Sequence, residues 1–169
     1  KILSHNLTEY KIIFRPYPDK VSFSIAEKLK KEFQYISNVE IDLTSGNTED
    51  VYKKTRFYIT DASTGGFSFM HKTKRPTIFI YNKNSYLNDT SYSNYIDSCK
   101  QAGIALSKIE DLPNTIKIIE SNQDFYEKRI IDFFNDELFN QGNEVQYIWN
   151  SIEKILNNDV DKSWTKVKA

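Results

Sequence analysis

The chain is poor in cysteine and histidine and carries no excess of either charge. Cys99 is its one cysteine, which excludes an internal disulfide framework, and with only His5 and His71 beside it there is no cysteine/histidine cluster to suggest zinc. One thiol fits a reducing compartment, and neither a metal nor another cofactor is expected. Lys+Arg and Asp+Glu both number 23, so the formal net charge is zero. Nucleic-acid binders normally show a basic excess, so no nucleic-acid partner is expected, although a local basic pocket stays open. No apolar run approaches the roughly 20 residues that span a bilayer, and there is no secretory signal. These absences point to the cytoplasm. No Gly-x-Gly-x-x-Gly follows a first strand, which removes a dinucleotide-binding Rossmann domain. There is no internal repeat and no low-complexity segment. The chain starts at Lys1 rather than at a methionine, which fits a piece of a longer polypeptide.

What is present reads as one domain. A chain of 169 residues with 39% hydrophobic content can bury one good core. Short apolar runs at 10–15, 39–43, 57–60, 77–81 and 103–107 read as strands. Between them lie helical patterns at 21–35, 48–54, 67–73, 92–101 and 112–121, followed by one at 124–138. Residues 82–88 read as a polar, mobile loop. Residues 139–143 break the pattern before a last amphipathic helix at 144–156, whose Val145, Ile148, Trp149, Ile152 and Ile155 are expected to face inward. The expected fold is α/β and Rossmann-like: a mostly parallel sheet of about five strands with helices on both faces and a C-terminal amphipathic helix. Residues 1–156 form the domain and 157–169 a polar tail.

The chain is organised around Thr60-Asp61-Ala62-Ser63-Thr64-Gly65-Gly66, where a buried strand stops and a helix begins. Hydroxyls and a carboxylate cluster there, Gly65 and Gly66 remove side chains, and the helix N–H groups face the turn, which suits a phosphate. The bland alternative is that Asp61 or Ser63 caps the helix. In an open parallel sheet ligands sit beyond the carboxyl ends of the strands. Three loops there carry chemistry: Arg15-Pro16-Tyr17-Pro18-Asp19, the central turn, and Tyr81-Asn82-Lys83. Arg15 has two readings, a phosphate contact or an ion pair with Asp19 or a helix carboxylate. Lys83 reads more readily as a solvated lysine than as a ligand, His71 as structural or exposed, and His5 as incidental. A phospho-acceptor receiver domain would need a carboxylate where Arg15 sits.

The order of motifs resembles a known family. Phe-Arg-Pro-Tyr-Pro at 14–18, Ile-Thr-Asp-Ala-Ser-Thr at 59–64 and Lys-Arg-Pro-Thr-Ile-Phe-Ile-Tyr at 74–81 together look like the C-terminal half of CDP-glycerol glycerophosphotransferases and related capsule and teichoic-acid enzymes. The resemblance runs from about Tyr10 to Leu156 and includes the break at 139–143. Each motif is degenerate; their order and spacing carry the likeness. It implies a GT-B arrangement of two Rossmann-like domains, of which this is the one that binds a nucleotide-activated donor, CDP-glycerol or a nucleotide sugar. On the matching turn it implies that Ser63 and Thr64 hold the donor phosphates, helped by the helix N-terminus, and that Asp61 orders the turn; Gly65 and Arg15 are candidate phosphate contacts beside them. It further implies an acceptor-binding domain upstream in the same polypeptide, which works in the cytoplasm at the inner face of the membrane. The family has a histidine, linked to catalysis or to donor phosphate contacts, where this chain has Tyr17. It also has one more strand ahead of the first helix. Tyrosine, with a pKa near about 10, is a poor proton shuttle at neutral pH. Transfer needs both walls of the cleft, so the isolated domain is expected to be inactive.

Overall fold

Strands built from β-branched and aromatic residues alternate with helices through most of the chain, and the strands are short. The computed structural model describes residues 7–159 except 18, 45–46, 62, 139–141 and 158. His5 and residues 160–169 of the expected tail lie outside the described residues, as do three positions of the expected break before the last helix. The order is β1 (Ile12–Phe14), α1 (Lys20–Phe33), β2 (Val39–Ile41), α2 (Thr48–Lys54), β3 (Tyr58–Thr60), α3 (Gly65–Thr73) and β4 (Thr77–Ile80). There follow α4 (Lys83–Asn88), α5 (Thr90–Ala102), β5 (Ile104–Leu106), a 3-10 turn (Ile109–Asp111), α6 (Leu112–Ser121), α7 (Gln123–Glu137) and α8 (Glu144–Leu156). The fold is α/β and all strand pairing is parallel, as expected of a Rossmann-like domain.

The five strands do not form one sheet. β1 pairs with β2, with Ile12 opposite Val39, and β3, β4 and β5 form a second sheet in that order, with Tyr58 opposite Thr77 and Ile78 opposite Ile104. Where a ladder between β1 and β3 would close a five-stranded sheet, the lead-ins meet through side chains: the rings of Tyr10 and Phe57 touch edge to face, 6.0 Å apart. Each strand is three or four residues long, so the backbone offers little ladder with which to overcome that spacing.

β4 positions the core on both faces, because successive residues of a strand point to opposite sides. Phe79 enters a cluster with Tyr52 of α2, Phe69 and Met70 of α3, Cys99 and Ala102 of α5, and Ile130 and Phe134 of α7. Ile78 enters the other, with Leu7 and with Leu112, Ile116 and Ile119 of α6. Each such side chain contributes roughly 1.5–3 kcal/mol by leaving water. α7 is also fastened by Arg129, whose guanidinium donates to the carbonyls of Lys100, Gln101 and Gly103 at the carboxyl end of α5.

Two further expectations are overturned. Residues 83–88 form a helix, not a mobile loop, because Asn82 caps it: its side chain accepts from the N–H groups of Asn84 and Ser85 at 2.9 and 3.2 Å. Behind it, Asp97 takes hydrogen bonds from the Tyr86 hydroxyl (3.0 Å) and the Lys100 ammonium (2.9 Å), and that ammonium also stands 4.1 Å over the Tyr86 ring. The second concerns α8. It is amphipathic as expected, but Val145, Ile148, Trp149, Ile152 and Ile155 are exposed and no described element packs extensively against them. Periodicity identifies an apolar face without identifying its cover, and Ile130 and Phe134 already complete the core on that side.

Candidate functional site

The carboxyl ends of β1, β2, β3 and β4 carry the side chains of interest. After β3 the chain turns within four residues into α3. The Ser63 N–H donates to the Asp61 carbonyl at 2.7 Å, and the Ser63 carbonyl accepts from Gly66 N–H at 3.2 Å. The Ser63 hydroxyl accepts from Gly65 N–H at 3.3 Å, a loose first-turn contact. The residue at the helix boundary is Thr64, and its side chain makes no capping hydrogen bond. The Asp61 carboxylate takes the Thr60 hydroxyl at 3.3 Å and, among the described residues, no helix N–H. Asp61 and Thr64 are exposed. The capping alternative thus holds weakly for Ser63 and not for Asp61. The turn presents Ser63, Thr64 and the start of a nine-residue helix to solvent.

The two glycines have different duties. A Cβ on Gly66 would lie 2.5 Å from the Phe79 ring and 2.8 Å from the Thr77 methyl, so this glycine lets α3 press onto β4. The buried Thr77 hydroxyl completes that contact by donating to the Gly66 carbonyl at 3.0 Å. Gly65 faces the site: a Cβ there would meet only the Tyr58 hydroxyl at 3.3 Å and the Ser63 hydroxyl at 3.5 Å.

Arg15, just past β1, reaches across to the end of β2. Its Nε lies 3.6 Å from an Asp42 carboxylate oxygen and a terminal nitrogen donates to the Thr44 carbonyl at 3.3 Å. Its ion-pair partner is therefore Asp42, not Asp19. Asp19 caps α1 instead, accepting from the N–H groups of Val21 (2.8 Å) and Ser22 (2.9 Å) and from the Ser22 hydroxyl (2.7 Å). Hydrogen bonds from Thr44, and then the Arg15 charge, hold the Asp42 carboxyl below its ordinary value. Tyr17 is 77% exposed beside this corner.

Electrostatics tie the corner to the central turn. Burial raises the phenols of Tyr52 and Tyr58; the Arg15 charge opposes this at both, and Asp61 adds to it at Tyr58. Burial, then the Cys99 thiol and more distantly Asp61, raises Tyr95. Tyr58 thus feels both Arg15 and Asp61, Tyr52 feels Arg15, and Tyr95 feels Asp61. Tyr52 closes the floor, its hydroxyl donating to the Gly65 carbonyl at 3.4 Å.

Lys83 is an exposed first residue of α4, and His71 lies within α3 with its ring 5.0 Å from that of Phe134. A cavity of about 200 Å³ lined by Arg56, Phe57, Lys74, Arg75 and Glu127 sits at the opposite edge, ahead of β3 and β4. Among the described residues no group of His, Cys, Asp and Glu is arranged to hold a metal ion, and no helix is long and apolar enough to cross a membrane. Sequence reasoning missed Asp42 and Thr44 as the partners of Arg15, and missed the tyrosine floor. An acidic residue at the end of β2 was the available signal for the first; the tyrosines gave none beyond aromatic content. Compared with known proteins, the chain matches no family model, no curated protein and no solved structure.

Proposed function

We propose that this chain is the donor-nucleotide domain of a transferase, moving glycerophosphate or a glycosyl group in bacterial cell-surface polysaccharide synthesis. The observation that supports it is the turn at the end of β3, where Ser63 and Thr64 stand at an open helix start. A helix N-terminus favours an anion by roughly 0.3–1 kcal/mol, and each charge-assisted hydrogen bond adds about 1.5–3 kcal/mol. Two or three such contacts reach the roughly 4 kcal/mol of a millimolar site. The reading therefore requires weak donor binding by this domain alone, with an upstream acceptor-binding domain of the same polypeptide closing the cleft at the inner face of the membrane.

Titration of the chain with CDP, CDP-glycerol, UDP and a UDP-sugar, followed by NMR, tests this reading. Saturable binding of one nucleotide, with shifts at residues 60–66 and loss on joint Ser63→Ala and Thr64→Ala substitution, is expected. Binding that the double variant leaves intact would remove the turn from the site.

A second reading follows from Tyr17, the solvent-facing residue where the resembled family has histidine. In it the domain keeps the fold and binds a nucleotide or a protein without catalysing transfer. Turnover by the full-length protein that is unchanged in Tyr17→Phe and raised in Tyr17→His would distinguish a tolerated departure from a lost catalytic group.

A further inference from the structure

The apolar face of α8 has the spacing of a helix-pairing seam. Val145, Ile148, Ile152 and Ile155 recur at intervals of three, four and three residues, the a and d positions of a heptad, and Trp149 and Leu156 flank them. All six are open, from 39% for Ile152 to 75% for Leu156. The stripe runs the length of a 13-residue helix, about 20 Å, and a bare stripe of that kind marks an interaction surface. The polar face says what kind. It carries Glu144, Glu153 and Lys154 and no other charge, whereas a helix lying on anionic lipid, or against nucleic acid, needs lysine and arginine there.

We propose that a second copy of this chain covers the stripe, the two α8 helices packing antiparallel about a two-fold axis. A two-fold pair requires that if one residue faces another, the reverse holds as well. The seam meets this condition: Val145 faces Ile155 of the second copy and Ile148 faces its Ile152, each contact made twice. The ends choose the direction. Antiparallel packing brings Glu144, at the amino end, near Lys154 of the second copy and sets opposite helix-dipole ends together. Parallel packing would set Glu144 beside Trp149 of the second copy, with no opposite charge to meet, and like helix-dipole ends together. Two such faces remove on the order of 1,000 Å² from water, the low end for a specific complex, so the dimer is weak.

Sedimentation equilibrium of the intact chain, from a few to a few hundred micromolar, tests the pairing. The expected result is a reversible monomer–dimer equilibrium that Ile152→Glu abolishes while the circular dichroism spectrum holds. Glu144→Lys or Lys154→Glu alone weakens association about fivefold, and the two in one chain restore it. A monomer throughout the range would overturn the proposal, as would a dimer indifferent to Ile152→Glu or charge variants whose combination is no better than either alone. A chain that stays monomeric but sediments with phosphatidylserine vesicles would assign the stripe to lipid instead.

Discussion

Gly66 and Phe79 contend for one space: a single methyl group on the glycine would stand 2.5 Å from the ring. The backbone of α3 therefore rests directly on β4, and that contact fixes where the turn before it points. Gly66→Ala should destabilise the domain by about 1–3 kcal/mol in urea titration, since overpacking outweighs the roughly 1 kcal/mol that alanine contributes to a helix. Gly65→Ala, one position earlier, meets only two hydroxyls and should leave the urea midpoint nearly unchanged. It should nevertheless weaken nucleotide binding, because the new methyl group occupies the approach to the turn.

Arg15 joins the ends of β1 and β2, and in the proposed function it also contacts the donor phosphates. Arg15→Met should weaken binding of a nucleoside diphosphate about tenfold or more, the size of one charge-assisted hydrogen bond. NMR titration at two salt concentrations checks this: the variant should also lose part of the salt dependence. Equal affinity in the two proteins would leave Arg15 as a partner of Asp42 and nothing more.

Acid should weaken the fold through identified carboxylates. Asp19 is held below its ordinary pKa chiefly by the Ser22 hydroxyl and N–H, and Asp42 chiefly by Thr44. A carboxyl depressed in the folded state contributes stability that is complete above its unfolded pKa, near about 4, and is lost as pH falls through the folded value. The melting temperature should therefore vary little between pH 5 and 7 on their account and drop below pH 4. Asp19→Asn and Asp42→Asn should melt lower than the parent at pH 6, and the curves should converge toward pH 2–3. Parallel curves would show that these two groups do not carry the acid sensitivity.

Cys99 is fully buried in the core around Phe79, and that burial pushes its thiol up to about 11. Little thiolate forms at neutral pH, and a reagent has no path to what does. Ellman's reagent should react with the native chain at least a hundredfold more slowly than with the chain in guanidinium. Rapid reaction of the native chain would mean that the α5 side of the core opens readily.

Local order in this protein was legible in the sequence, and its long-range partners were not. The strands at 12–14 and 77–80 declare themselves by adjacent apolar and β-branched residues, and α1 by the recurrence of Phe23, Ala26, Leu29 and Phe33. Gly66 was visible as a glycine, but Phe79, thirteen residues on, decides that it serves packing and not ligand approach. Arg15 was visible as a cation at a strand end, but its choice of Asp42 over Asp19 depends on the register of β1 against β2. The split into two sheets has the same origin, since Tyr10 and Phe57 meet only once both strands are placed. Asn82 is the reverse case: it is a capping residue ahead of a polar stretch, but the stretch has no apolar period and so reads as a loop.

The Arg129 clasp and its neighbours Ile130 and Phe134 set a schedule for synthesis. All five strands have left the ribosome well before α7 does, yet the face of Phe79, Phe69 and Tyr52, covered in part by Cys99 and Ala102 of α5, lacks the rest of its cover until Ile130 and Phe134 emerge. The unfinished chain therefore carries a wet aromatic surface through the time needed to add some thirty residues beyond β5. A transcript truncated after Ser121 would keep every strand of the fold and leave a chaperone client in place of a domain.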